Sequence, residues 1–169
     1  MWNSTDTPLA YLISFRTYGT WLHGDNRGSI DRFHNRGRSP YIPANQTWHR
    51  YNNQQLRVAP LILGMRERKL IQTAIRETCE IHEWSLLALN VRTNHVHTVV
   101  SANHNSEQIL TAFKANATRL LRKAGAWPHG FSPWAQKGSK RNLWNEQSVA
   151  RAIKYVIDGQ GYDLPDLDH

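Results

Sequence analysis

Cysteine is almost absent from this chain. Cys79 stands alone among 169 residues. One thiol excludes an internal disulfide and any cysteine-based zinc cluster. Acidic residues are scarce as well: 13 Asp and Glu face 21 Lys and Arg, a formal charge of +8 with histidine neutral. Such a balance argues for a polyanionic partner, with nucleic acid first and an acidic membrane surface second. Long apolar runs are missing. No stretch approaches a membrane span, and the opening Met1-Trp2-Asn3-Ser4-Thr5-Asp6 has neither the basic nor the apolar region of a signal peptide. The expectation is therefore a cytoplasmic protein with no membrane partner. There is no internal repeat and no low-complexity tract. Seven Trp, six Tyr and nine His are plentiful by contrast. Most large aromatics are core residues, and some could stack on unpaired bases. The length fits one domain with its own core, carrying a basic loop insertion over about 22–60 and a loose acidic tail over 162–169.

Periodicity divides the chain into elements. Leu9 to Trp21 is aromatic and β-branched and reads as a strand. From Leu22 to about Pro60 periodicity is lost, with turn chemistry at Asp25-Asn26-Arg27-Gly28 and Asn35-Arg36-Gly37-Arg38. Met65 to about His82 repeats Leu70, Ile71, Ala74, Ile75 and Thr78 at helical spacing, which leaves Arg68 and Gln72 on a solvated face. Two strands follow, 84–91 and 94–101, joined by a turn at Arg92-Thr93-Asn94. Asn105 or Ser106 caps a helix to about Ala124, with Gln108 as capping-box partner and Gly125 as its stop. Lys140 to Asn145 is a short last strand. Asn145 caps a final helix from Glu146 to about Asp158, stopped by Gly159. The order β-α-β-β-α-β predicts an α+β fold of ferredoxin-like type: an antiparallel sheet with helices on one face, plus one extra C-terminal helix.

One short motif stands out within this frame. In an extended segment, His95 and His97 share a face, about 7 Å apart along the strand. Two imidazoles so placed can grip one metal ion. The competing reading is a pair of surface histidines on a half-exposed strand. Zinc would want more nitrogen or sulfur ligands than the neighbourhood offers.

The irregular segment is the basic part of the chain. Arg27, Arg32, Arg36, Arg38, Arg50 and Arg57 are interleaved with His34, Tyr41, Trp48, His49 and Tyr51. Guanidinium forks bind phosphate and aromatic rings stack on bases, so this segment, with Trp48 as its main stacking candidate, reads as a nucleic-acid contact. Arg16 on the first strand and Lys114 and Lys154 on helix surfaces extend the same expectation. The alternative is a solvated basic loop without a specific partner.

The opening Thr17-Tyr18-Gly19-Thr20-Trp21-Leu22-His23-Gly24-Asp25, then Arg27-Gly28, the strand motif His95-Val96-His97, and the closing Tyr155-Val156-Ile157-Asp158-Gly159-Gln160-Gly161 carry a resemblance. Together they span about residues 9 to 161. The chain resembles the single-tyrosine HUH transposases, the IS200/IS605-type group and its repeat-associated tyrosine transposase relatives. The resemblance implies a nuclease and strand transferase acting on single-stranded DNA beside a hairpin. It implies that His95 and His97 bind Mg²⁺ or Mn²⁺ and that Tyr155 is the nucleophile, giving a 5′-phosphotyrosine and a free 3′-OH. The chemistry is consistent. A phenol is a poor nucleophile at its usual pKa near 10, and a nearby cation favours the phenolate. A covalent phosphodiester keeps the bond energy for rejoining. Tyr155 also falls off the apolar stripe of its helix, whereas Tyr162 follows two glycines. In the group, a polar residue shortly after the tyrosine completes the metal site, often Gln four positions on. Here that position is Gly159, which leaves Gln160 or Asp158 as the third ligand, with water as a further source. The resemblance leaves open a homodimer or a monomer. Two other classes compete: a non-catalytic reader of structured single strands, and a zinc hydrolase of small molecules.

Overall fold

A computed structural model of the chain describes residues 6–20 and 56–159. Among these residues four strands and three helices follow one another. They are β1 (Ala10–Arg16), α1 (Met65–His82), β2 (Ser85–Val91), β3 (His95–Ser101), α2 (Ser106–Lys123), β4 (Ser139–Leu143) and α3 (Glu146–Asp158). The sheet order is β2-β3-β1-β4, antiparallel throughout. That is the order a β-α-β-β-α-β chain makes when its first and third strands lie at the centre.

Strand alternation sends Ile13, Phe15, Val96 and Val100 to one face, where α1 and α2 cover them. Ile71, Ala74 and Ile75 of α1 and Phe113, Ala117 and Leu121 of α2 are buried against that face. The two helices are tied across their contact by the Asn116 amide, which donates to the Ala74 carbonyl at 2.9 Å. The opposite face carries a much smaller apolar cluster of Ala10, Ala88, Val99 and Leu143 with Ala152 and Val156 of α3. So β1 and β3 are covered on both sides, and among the described residues α3 roofs the second face.

The helix ends follow the chemistry of their sequences. Asn105 and Gln108 form the reciprocal capping box at the start of α2, and Gly125 beyond its end takes φ +76°. Asn145 caps α3 by accepting from the Ser148 N–H at 2.8 Å. Arg68 departs from its expected place on a solvated face. Its guanidinium is buried and donates to the Leu63 carbonyl at 3.0 Å, at a helix start with no side-chain cap. Trp84, Trp127 and Trp134 are buried core rings and not base-stacking surfaces. Cys79 is buried, and burial pushes its thiol up to about 11. No helix among the described residues is long and apolar enough to cross a membrane.

Candidate active site

The roof helix meets the sheet where the histidines are. Ala152 and Val156 of α3 face inward, and Tyr155 stands on the helix edge, 46% exposed. Burial therefore does not account for Tyr155. Its ring lies against the His97 ring, with centroids 5.6 Å apart and planes at 71°. The His95 and His97 rings are themselves 4.7 Å apart at 68°. They lean together, closer than the spacing of the strand alone implies. Three side chains from residues 95, 97 and 155 thus form one cluster on the α3 face of the sheet.

Each imidazole is oriented by a neighbour. Nδ1 of His95 lies 2.6 Å from Asn94 Oδ1, and Nδ1 of His97 lies 2.5 Å from Ser14 Oγ. An amide oxygen can only accept, so in this contact Nδ1 of His95 is the donor, which turns Nε2 away from Asn94. Metal-binding histidines are commonly held this way by an outer partner. Strand register creates the second contact, because Ser14 of β1 is paired with His97 of β3.

The opening motif of the chain supports the first contact. Thr17 and Thr20 are buried, and the Thr17 hydroxyl donates to the Leu61 carbonyl at 2.7 Å. The Thr17 amide donates to the Asn94 carbonyl at 2.9 Å. Gly19 between them takes φ +72°, and a Cβ there would sit 2.9 Å from Leu56 Cδ1 and 3.1 Å from Pro60 Cα. The Thr17 to Thr20 turn therefore fixes Asn94, and Asn94 fixes His95.

Ser14 is held in place from the other side. A Cβ on Gly138 would lie 2.7 Å from the Ser14 carbonyl oxygen and 3.1 Å from Leu110 Cδ2. Gly138→Ala must therefore push the start of β4 off β1. The expected result is a loss of about 1–3 kcal/mol in urea unfolding. An unchanged midpoint would show that the β1–β4 junction has room to spare.

The other residues expected at the site fall in various places. Arg16 ends β1 directly opposite His95 in register. Lys154 is exposed on α3, and Arg57 is exposed with its guanidinium 5.4 Å from the Phe131 ring centroid. Lys114 is half-buried instead of standing on an open helix face. Its ammonium donates to the carbonyls of Lys137 at 2.8 Å and Ala135 at 3.3 Å, and desolvation pulls its pKa below the usual lysine range. Asp158 is exposed at the end of α3. Among the described residues, no third His, Cys, Asp or Glu joins the histidine pair in a metal-binding group. Arg27, Arg32, Arg36, Arg38, Trp48, Arg50 and Gln160 lie outside the described residues. Ser14 and Asn94 were not among the expected site residues. Asn94 is adjacent to the motif and could have been found there; Ser14 depends on a pairing 83 positions away in sequence.

Known proteins share this fold. The chain resembles a candidate transposase of Deinococcus radiodurans R1, known from a crystal structure, at 15% identity and TM-score 0.52, over 96% of this chain and 98% of that one. It also resembles a REP-associated tyrosine transposase solved bound to a REP hairpin, at 9% identity and TM-score 0.50, over 92% of this chain and 68% of that one. At such identities the likeness is one of fold. No curated protein matches the chain. The family described as IS200-like transposase matches residues 59–154, more than half the chain, taking in both histidines and ending one residue before Tyr155. The chain belongs to the IS200-like transposase family.

Proposed function

We propose that the protein cuts and rejoins single-stranded DNA beside a hairpin, with Tyr155 as nucleophile and His95 and His97 as ligands to Mg²⁺ or Mn²⁺. The contact between the Tyr155 and His97 rings carries this reading. Residues 58 positions apart meet there, an exposed tyrosine on a helix and a buried histidine on a central strand, and burial does not account for the tyrosine. The donor set suits a divalent cation in part. Two imidazoles lean toward each other, each oriented through Nδ1, so Nε2 is the nitrogen each would offer. Gln160, Asp158 or water would supply the remaining ligands. A cation held there would polarise the scissile phosphate and favour the phenolate.

The chain's own residues do the rest. The Tyr155 oxygen attacks phosphorus, the bond to the 3′ oxygen breaks, and that oxygen leaves as a 3′-OH after taking a proton. The tyrosine keeps the 5′-phosphate as a diester. Attack by a 3′-OH, the same or another, reverses the step and moves the strand. Arg16, paired with His95 in register, would meet a phosphate brought to the imidazoles. The basic segment of Arg27, Arg32, Arg36, Arg38, Trp48, Arg50 and Arg57 would hold the strand, as would Lys154. The relative solved on a REP hairpin supports a structured strand as substrate.

The test is direct. The protein is mixed with an oligonucleotide bearing a hairpin and single-stranded flanks, in Mn²⁺, and run on a denaturing gel. A 3′ label should migrate with the protein, and a 5′ label should appear on a released fragment ending in 3′-OH. Tight binding without any protein-linked label would identify a non-catalytic reader instead.

A further inference from the structure

The helix that bears Tyr155 is lightly held. Its buried side chains, Ala152 and Val156, meet Ala10, Ala88, Val99 and Leu143 of the sheet, with half-buried Leu12, Val149 and Ile153 packed around them. The cluster has far fewer buried members than the core under α1 and α2, so it buries less apolar area and grips less firmly. Nonpolar contacts are also non-directional. They keep α3 on the sheet without fixing how far it slides or turns, and a shift of one ångström would move the phenol out of line with its target.

A directional polar contact adds register. The Asn90 side-chain amide donates to the Val156 carbonyl at 2.9 Å. Val156 follows Tyr155 directly. It lies in the last turn of α3, where helix carbonyls run out of intrahelical donors. Asn90 sits on β2 opposite His97 on β3. The sheet position that pairs with the histidine therefore grips the backbone next to the tyrosine.

We propose that Asn90 is a positioning residue: through Val156 it sets Tyr155 over the histidine pair. The inference rests on the reading of Tyr155 as nucleophile. Asn90→Asp keeps size and shape but turns the donor into an acceptor facing a carbonyl. In the full chain, the rate of adduct formation at saturating hairpin oligonucleotide in Mn²⁺ should fall about tenfold or more, with oligonucleotide affinity unchanged. Asn90→Gln, which keeps the donor, should recover part of the rate. Ile75→Val serves as a control, because it weakens the core under α1 without touching α3 and should leave the rate as it is.

A second readout needs no activity. The Tyr155 ring lies edge-on to His97, so its ring current shifts the His97 imidazole proton resonances. Tyr155→Leu removes that shift, and Asn90→Asp should move the same resonances in the same direction. If His97 in Asn90→Asp keeps its wild-type resonances and the rate is unchanged, Asn90 does not position the helix. If the wild-type protein forms no adduct at all, the nucleophile reading falls, and the His97 resonances still decide the placement.

Discussion

Tyr155→Phe should abolish the covalent protein–DNA adduct while leaving the fold and the DNA contact intact. The substitution removes one oxygen and nothing else. A phenyl ring retains the contact with His97, 5.6 Å between centroids, and Tyr155 contributes no buried packing that would be lost. Loss of a nucleophile that no neighbour replaces costs at least about 10³-fold in rate. Oligonucleotide affinity should stay within about twofold, because the oxygen acts in the transition state and not in ground-state binding. The measurement is a time course of adduct on a denaturing gel, beside a binding titration with the same oligonucleotide. A Phe variant that forms adduct at the wild-type rate would move the chemistry to another residue, with Tyr162 the first to examine.

The second large effect belongs to the histidines, and the two are not equivalent as tests. His97 is buried, and Ser14 is bound to its Nδ1. His97→Ala therefore also leaves a cavity and a stranded hydroxyl, at a stability cost of about 1–3 kcal/mol. His95 is half-buried and held at Nδ1 by Asn94, so His95→Ala perturbs the fold less. Removing a group that stabilises charge on a phosphoryl oxygen lowers the rate by about 10²–10³-fold. His95→Ala should show that drop, and a chelator should produce it in the wild-type protein. Saturating Mn²⁺ should raise the melting temperature of the wild-type chain and not that of His95→Ala/His97→Ala, since a ligand that binds only the folded state stabilises it by mass action. An adduct rate in His95→Ala equal to wild type would take the cation away from this pair.

The local parts of this fold were legible in the sequence, because the forces that set them act over a few residues. The bounds of α1, the capping box at Asn105 and Gln108, and the stop of α3 at Gly159 follow from periodicity and caps. The ferredoxin-like order followed from the sequence of elements. The shared face of His95 and His97 came from strand alternation, and the place of Tyr155 off the apolar stripe from helical spacing. What could not be read depends on pairing between distant strands. Nothing near Ser14 or Asn90 marks either as a neighbour of His97; both become so through register alone. Arg68 looks like a solvated residue by spacing, yet it turns inward to the Leu63 carbonyl at an uncapped helix start. Lys114 likewise leaves its expected surface for the carbonyls of Ala135 and Lys137, which lie on a segment its own helix cannot foretell. The Thr17 to Thr20 turn was visible as a motif, and its work, holding Asn94 and through it His95, was visible only in three dimensions.

Mass spectrometry of the DNA-linked peptide bears most directly on the meeting of phenol and imidazoles. Trypsin cuts after Lys154, and the peptide that begins at Tyr155 also contains Tyr162. After the protein has reacted with a hairpin oligonucleotide in Mn²⁺ and the DNA has been trimmed by nuclease, fragmentation locates the phosphate on one residue. The account predicts it on Tyr155, with no linked peptide from the variant lacking both histidines. A phosphate found on Tyr162 or on a serine, or a linked Tyr155 peptide that persists when His95 and His97 are both alanine, would contradict it.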